Sequence, residues 1–117
     1  MVTDLLNSWE ETYKKGQLTL WIFLSLKDGD KYVDEIKSFI ESRSKNTISC
    51  EEQSIYRSLR KYLYLDIVEF NLKKGNKGPE RKYYRLTELG YNLLNQFINR
   101  NINLFYDEKM KKLLKSN

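Results

Sequence analysis

Between Gln53 and Lys82 the chain gathers side chains suited to holding a polyanion. Arg57 and Lys61 are four residues apart, the spacing that places two cations on one helix face, and Arg60 lies beside them. A guanidinium can grip a phosphate or a guanine edge through two hydrogen bonds, whereas lysine neutralises phosphate as a point charge. Gln53 and Ser54 precede them by one turn, where an amide and a hydroxyl are placed to read base edges. Tyr56 has two readings: a hydroxyl aimed at phosphate or base, or a ring packed with Ile55 and Leu59. A second basic group, Lys73, Lys74, Lys77, Arg81 and Lys82, surrounds the turn sequence Gly75-Asn76-Lys77-Gly78-Pro79.

These two groups account for the charge of the whole chain. The 117 residues carry 21 Lys+Arg and 16 Asp+Glu, a formal net charge of +5. From Arg43 to Arg85 there are eleven basic and five acidic residues, and the remaining seventy-four hold ten basic and eleven acidic. The positive excess therefore belongs to one stretch, and such a cluster gives affinity for nucleic-acid backbone without sequence information. A basic surface that merely keeps the protein soluble is the bland alternative.

Other chemistries are poorly supplied. With no histidine in the chain, the commonest zinc ligand, the usual neutral-pH general base and any Ser-His or Cys-His pair are missing. One cysteine, Cys50, cannot form an internal disulfide, which fits a reducing cytoplasm. It could serve as a redox sensor, although Glu51 and Glu52 oppose a lowered thiol pKa. Those two glutamates are adjacent and diverge on a helix, so they suit a helix N-terminus better than an acid–base pair. We expect no enzyme, no cofactor and no metal. The longest apolar run, Leu18 to Leu26, is about half a membrane span, and Asp4 near the start does not match a signal peptide.

The elements that must position the basic groups follow from periodicity. Thr3 to Lys15 reads as a helix capped by Thr3, with Leu5, Leu6, Trp9 and Tyr13 on one face. Gln17 to Lys27 is apolar all round; a strand and a buried helix both fit, and its length favours the helix. Asp30 is expected to cap a third helix to about Arg43, with Val33, Ile36, Phe39 and Ile40 inward. Ser49-Cys50-Glu51-Glu52 matches a capping box and starts a fourth helix to about Leu65, with Ile55, Leu59 and Tyr62 inward. After Asp66 the β-branched and aromatic residues around the Gly-Pro turn predict a hairpin. Thr87 caps a last helix that could reach Leu114, although Asn99, Asn101 and Asn103 weaken its continuity. The fold class is thus mainly α with a small β-hairpin wing. Its order is a winged helix-turn-helix unit (16–87) flanked by an N-terminal helix (1–15) and a long C-terminal helix (88–117).

Three stretches carry a family resemblance. Tyr56-Arg57-Ser58-Leu59-Arg60-Lys61, Ile67-Val68 and above all Arg81-Lys82-Tyr83-Tyr84-Arg85-Leu86-Thr87-Glu88-Leu89-Gly90 resemble the PadR family of transcriptional regulators. The resemblance runs from about Gly16 to Asn95. Lys31 stands where the family has glycine before its Tyr-x-Ile segment, Asp66 replaces a glycine and Tyr62 a leucine. The resemblance implies a homodimeric repressor of double-stranded DNA with a palindromic operator, released in some members by a small aromatic effector.

Amphipathic surplus agrees with that expectation. Leu5, Leu6, Trp9 and Tyr13, together with the stripe Leu94, Phe97, Ile98, Phe105 and Met110, exceed what one small core can cover and form the expected dimer interface. Trp9, Tyr13, Tyr91 and Phe97 are candidates to line an effector pocket, although the same rings could pack a dimer with no cavity. A winged-helix module that binds protein or RNA without operator recognition is the alternative function.

Overall fold

In the computed structural model, which describes residues 1–74 and 78–115, four helices precede a two-stranded hairpin and two further helices follow it. The elements are α1 (Val2–Tyr13), α2 (Leu18–Asp28), α3 (Val33–Arg43), α4 (Glu52–Tyr64), β1 (Val68–Lys74), β2 (Glu80–Leu86), α5 (Glu88–Asn101), a 3-10 turn (Asn103–Tyr106) and α6 (Glu108–Leu114). The apolar 17–27 segment is indeed a helix. Its Ile22, Phe23 and Leu26 meet Val33, Ile36 and Ile40 of α3, Ile55, Leu59 and Tyr62 of α4, and Val68, Tyr84 and Leu86 of the hairpin. α2, α3, α4 and the hairpin form the winged helix-turn-helix arrangement. No described helix is long and apolar enough to cross a membrane.

Helix starts depart from the sequence expectation in three places, each for a local reason. α1 begins at Val2, so Thr3 is a helical residue and caps nothing. α3 begins at Val33 rather than at Asp30, because the Lys31 backbone pairs with Tyr84 of β2 through two hydrogen bonds of 2.8 and 3.1 Å. Tyr32 is its N-cap, and Glu35 accepts from the Tyr32 N–H at 3.2 Å. α4 begins at Glu52 with Glu51 as N-cap, and Ser49 makes no cap hydrogen bond. Glu52 turns instead toward Asp34 of α3, whose hydrogen bond and charge push the Glu52 carboxyl above its ordinary range. Thr87 does cap α5 as expected, its hydroxyl oxygen accepting from the Gly90 N–H at 3.1 Å.

The last helix is not continuous. α5 ends at Asn101, whose side-chain amide donates to the Phe97 carbonyl at 3.0 Å, while Asn103 donates to Asn99 at 2.8 Å. An asparagine side chain that bonds a backbone carbonyl, as Asn101 does, competes with the helical backbone, and the helix ends there. Asp107 then caps α6 by accepting from Met110 N–H at 3.3 Å.

The three departures from the family pattern are absorbed by chemistry rather than distortion. Lys31 Nζ donates to the Ser25 carbonyl at 2.7 Å and meets Asp28 at 2.9 Å, closing the C-terminus of α2 where a cation suits the helix dipole. Asp66 adopts φ 58°, the left-handed conformation that a glycine would favour and aspartate tolerates. The Tyr62 ring packs edge-on against Phe23 at 4.9 Å, and its hydroxyl pairs with Thr19 Oγ1, so burial leaves no polar atom unmatched.

Candidate nucleic-acid interface

α4 presents its basic face to solvent because the opposite face, Ile55, Leu59 and Tyr62, is sealed in the core. Gln53, Tyr56, Arg57, Arg60 and Lys61 are all exposed and Ser54 is half-buried. The outward position of Tyr56 removes the core-only reading of its ring. The last turn also exposes Tyr64.

The hairpin is antiparallel, with Lys73 opposite Arg81 and Leu72 opposite Lys82. Side chains alternate across it: Val68, Phe70, Tyr84 and Leu86 turn toward the core, while Lys73, Arg81 and Tyr83 lie on the other face. Lys82 shares the core-side face, its ammonium 4.7 Å from the Phe70 ring centroid. A cleft of 520 Å³ separates the wing from α4, lined by Tyr56, Arg60, Pro79, Lys82 and Tyr84 with Tyr32, Asp34 and Arg81 at its α3 end. Burial and the neighbouring Tyr56 push the Tyr84 phenol up.

The cations do not all stand alike. Among the described residues no carboxylate lies within ion-pair distance of Arg57, Arg60, Lys61, Lys74 or Lys82. Lys73 instead approaches Asp30 at 3.9 Å, Arg81 approaches Asp34 at 3.7 Å, and Arg85 bonds Glu69 across the strands at 2.9 Å. Counting charge along the sequence could not separate these two sets. Lys77 falls outside the described residues. Cys50 is half-buried before α4; burial, and then the Glu41 charge, push its thiol up, so it lacks the thiolate character of a redox sensor.

A second feature lies at the opposite end. α1 and α2 face α5 and the 3-10 turn across an apolar groove of 550 Å³. Tyr13, Leu20, Trp21, Leu24, Phe97 and Phe105 line much of it. Of the rings expected in a pocket, Tyr13 and Phe97 are there, whereas Trp9 and Tyr91 lie outside it. Leu20 and Leu24 were missed because an all-apolar helix gives no periodic sign of which residues reach its surface. Leu94 is 1% exposed and belongs to the core, so it is withdrawn from the expected interface.

Comparison with known proteins agrees with this architecture. The sequence profile of the transcriptional regulator PadR-like family matches residues 22–96, from α2 into α5. Over 84 residues, 72% of this chain and 77% of its relative, the sequence is 27% identical to an uncharacterised protein of Lysinibacillus sphaericus. The fold is similar to a PadR-like transcriptional regulator from Bacillus cereus, with a TM-score of 0.69 and 24% identity over 91% of this chain and 99% of that one. It is also similar to Bacillus subtilis PadR in complex with operator DNA, with a TM-score of 0.64 and 23% identity over 72% of this chain and 46% of that one. The profile match covers well over half of the chain, and the protein belongs to the PadR-like family of transcriptional regulators.

Proposed function

We propose that the protein binds a palindromic DNA operator as a homodimer and represses transcription by occupying it. The observation that carries this reading is a set of cations with no carboxylate beside them among the described residues, Arg57, Arg60 and Lys61 of α4 with Lys74 and Lys82 of the wing, of which Arg60 and Lys82 line the cleft between helix and wing. In a winged helix-turn-helix the recognition helix enters the major groove and the wing meets the backbone beside it. Gln53, Ser54, Tyr56 and Arg57 then face base edges, and Arg60, Lys61, Lys74 and Lys82 face phosphates. Dimerisation is supported by α1, a twelve-residue helix with no buried residue, which is too short to be stable without a partner surface.

Selection of bound duplexes from a random pool, followed by titration in increasing salt, tests the proposal. We expect a recovered palindrome with half-sites about one helical turn apart. Lys74→Ala and Lys82→Ala should weaken operator and random DNA alike, each lowering the salt slope by about one. Recovery of no preferred duplex beside tight binding to RNA or to a protein would support the non-operator module instead.

The groove beside Trp21 suits a planar apolar effector, because flat rings stack on aromatic walls. Such a ligand induces only if it binds the DNA-incompetent dimer more tightly. Titrating planar aromatic compounds should quench tryptophan fluorescence in wild type and in Trp9→Leu, and should lose most of that signal in Trp21→Leu. Quenching that disappears with Trp9 would place the ligand elsewhere.

A further inference from the structure

We propose that Arg81 is a positioning residue, held by Asp34 and Tyr32 in a latch that fixes the wing at a set distance from α4, and that it is not a phosphate contact. The proposal rests on the reading of this face as the DNA interface and assigns a separate role to one of its cations.

Several independent contacts converge on the latch. The Arg81 guanidinium lies over the Tyr32 ring, 4.5 Å from its centroid, with an Asp34 carboxylate oxygen 3.7 Å from a terminal nitrogen. Tyr32 meets Tyr83 edge-on at 5.4 Å, and Lys73 sits 5.3 Å from the Tyr83 ring while facing Asp30 at 3.9 Å. Lys73 and Arg81 are cross-strand partners, and Asp30 and Asp34 are four residues apart on the segment opposite. Two cations and Tyr83 on the wing therefore mesh with Tyr32 and two carboxylates on the segment opposite. The pairing of Lys31 with Tyr84 ties the same segment to β2 by its backbone.

Each ion pair alone is long and solvent-exposed, and such pairs contribute little. The planar guanidinium adds stacking on Tyr32 that a lysine ammonium would not reproduce. To reach a phosphate, Arg81 would leave both the ring and its counter-charge, whereas among the described residues Arg60 and Lys82 have no carboxylate to leave. Tyr32, Asp34 and Arg81 also line the cleft whose other wall is Tyr56 and Arg60 of α4, so the latch lies between recognition helix and wing.

The test compares wild type with Arg81→Gln, Arg81→Lys, Asp34→Asn and the Asp34→Asn/Arg81→Gln double variant on the selected operator. Arg81→Gln and Asp34→Asn should each weaken binding about two- to tenfold, the scale of an exposed ion pair with stacking. The salt slope should stay at its wild-type value, since no phosphate contact is lost. The double variant should be no weaker than the single ones, and Arg81→Lys should restore binding only in part. Hydroxyl-radical protection under the wing should fade while protection under α4 persists.

A slope lowered by about one in Arg81→Gln would overturn the proposal, because Arg81 would then be a phosphate contact. Tighter binding by Asp34→Asn, or additive losses in the double variant, would overturn it as well. Amide exchange in DNA-free protein reads the latch even if wild type binds no duplex and the DNA reading itself fails. Exchange along β2 should quicken in Arg81→Gln and Asp34→Asn but not in α2 or α3. Unchanged β2 exchange would overturn the latch on its own.

Discussion

Replacing Leu5 and Trp9 together by aspartate is expected to turn the protein into a monomer and to reduce operator affinity by about 10²- to 10⁴-fold. Both side chains lie on the exposed apolar face of α1, with Trp9 73% exposed in the single chain. A tryptophan can bury about 150–250 Å² at an interface, and a carboxylate in its place must be desolvated without a partner. The affinity loss follows from linkage. Two half-sites read by one dimer give avidity of roughly 10²–10⁴ over a single half-site, and a monomer forfeits it. Sedimentation equilibrium should show a single-chain mass, and circular dichroism should lose signal equivalent to about one short helix, because unsupported α1 is marginal. Base preference at a single half-site should survive, since α4 is untouched. A dimer that persists in this variant would remove α1 from the interface and leave Phe97, Phe105 and the C-terminal turns to hold the copies together.

Much of this protein was legible in its sequence where local signals and tertiary packing point the same way. The core faces of α3 and α4 follow from Ile36, Ile40, Ile55 and Leu59 at helical spacing, and all four are fully buried. Thr87 was legible as a cap for the same reason. The failures share a cause. Ser49-Cys50-Glu51-Glu52 satisfies the capping pattern, yet α4 starts at Glu52, beside Asp34, a residue eighteen positions away that no local pattern reveals. Asp30 looks like a cap, yet the neighbouring Lys31 is claimed by β2. The site shows the same limit. Which side chains are basic, and that α4 turns them outward, could be read from composition and period. Which cations already have a carboxylate beside them depends on the hairpin register and its contact with the start of α3.

Gly90→Ala should destabilise the fold by about 2–4 kcal/mol, combining overpacking with a damaged helix cap. A Cβ at position 90 would stand 2.3 Å from the Ile67 carbonyl oxygen and 3.1 Å from Leu86 Cδ2. The first of these is backbone and is not free to move. Ile67 O accepts from the Thr87 N–H at 3.0 Å and from the Thr87 hydroxyl at 3.1 Å, and that hydroxyl also donates to the Asp66 carbonyl at 2.7 Å. Shifting the carbonyl would disturb all three bonds and the left-handed turn at Asp66 that starts the wing. Alanine has a better helix propensity than glycine by about 1 kcal/mol, too little to offset the clash. In thermal melts the midpoint should fall by roughly 10–15 °C, whereas Asn95→Ala on the exposed face of α5 should stay within a few degrees of wild type. A Gly90→Ala midpoint at or above wild type would mean that the Ile67 carbonyl yields freely. The Tyr84-Arg85-Leu86-Thr87-Glu88-Leu89-Gly90 run, the most specific sequence mark of the family in this chain, is therefore a joint. It locks the wing to α5, so these few residues hold the basic hairpin against the helix that follows it.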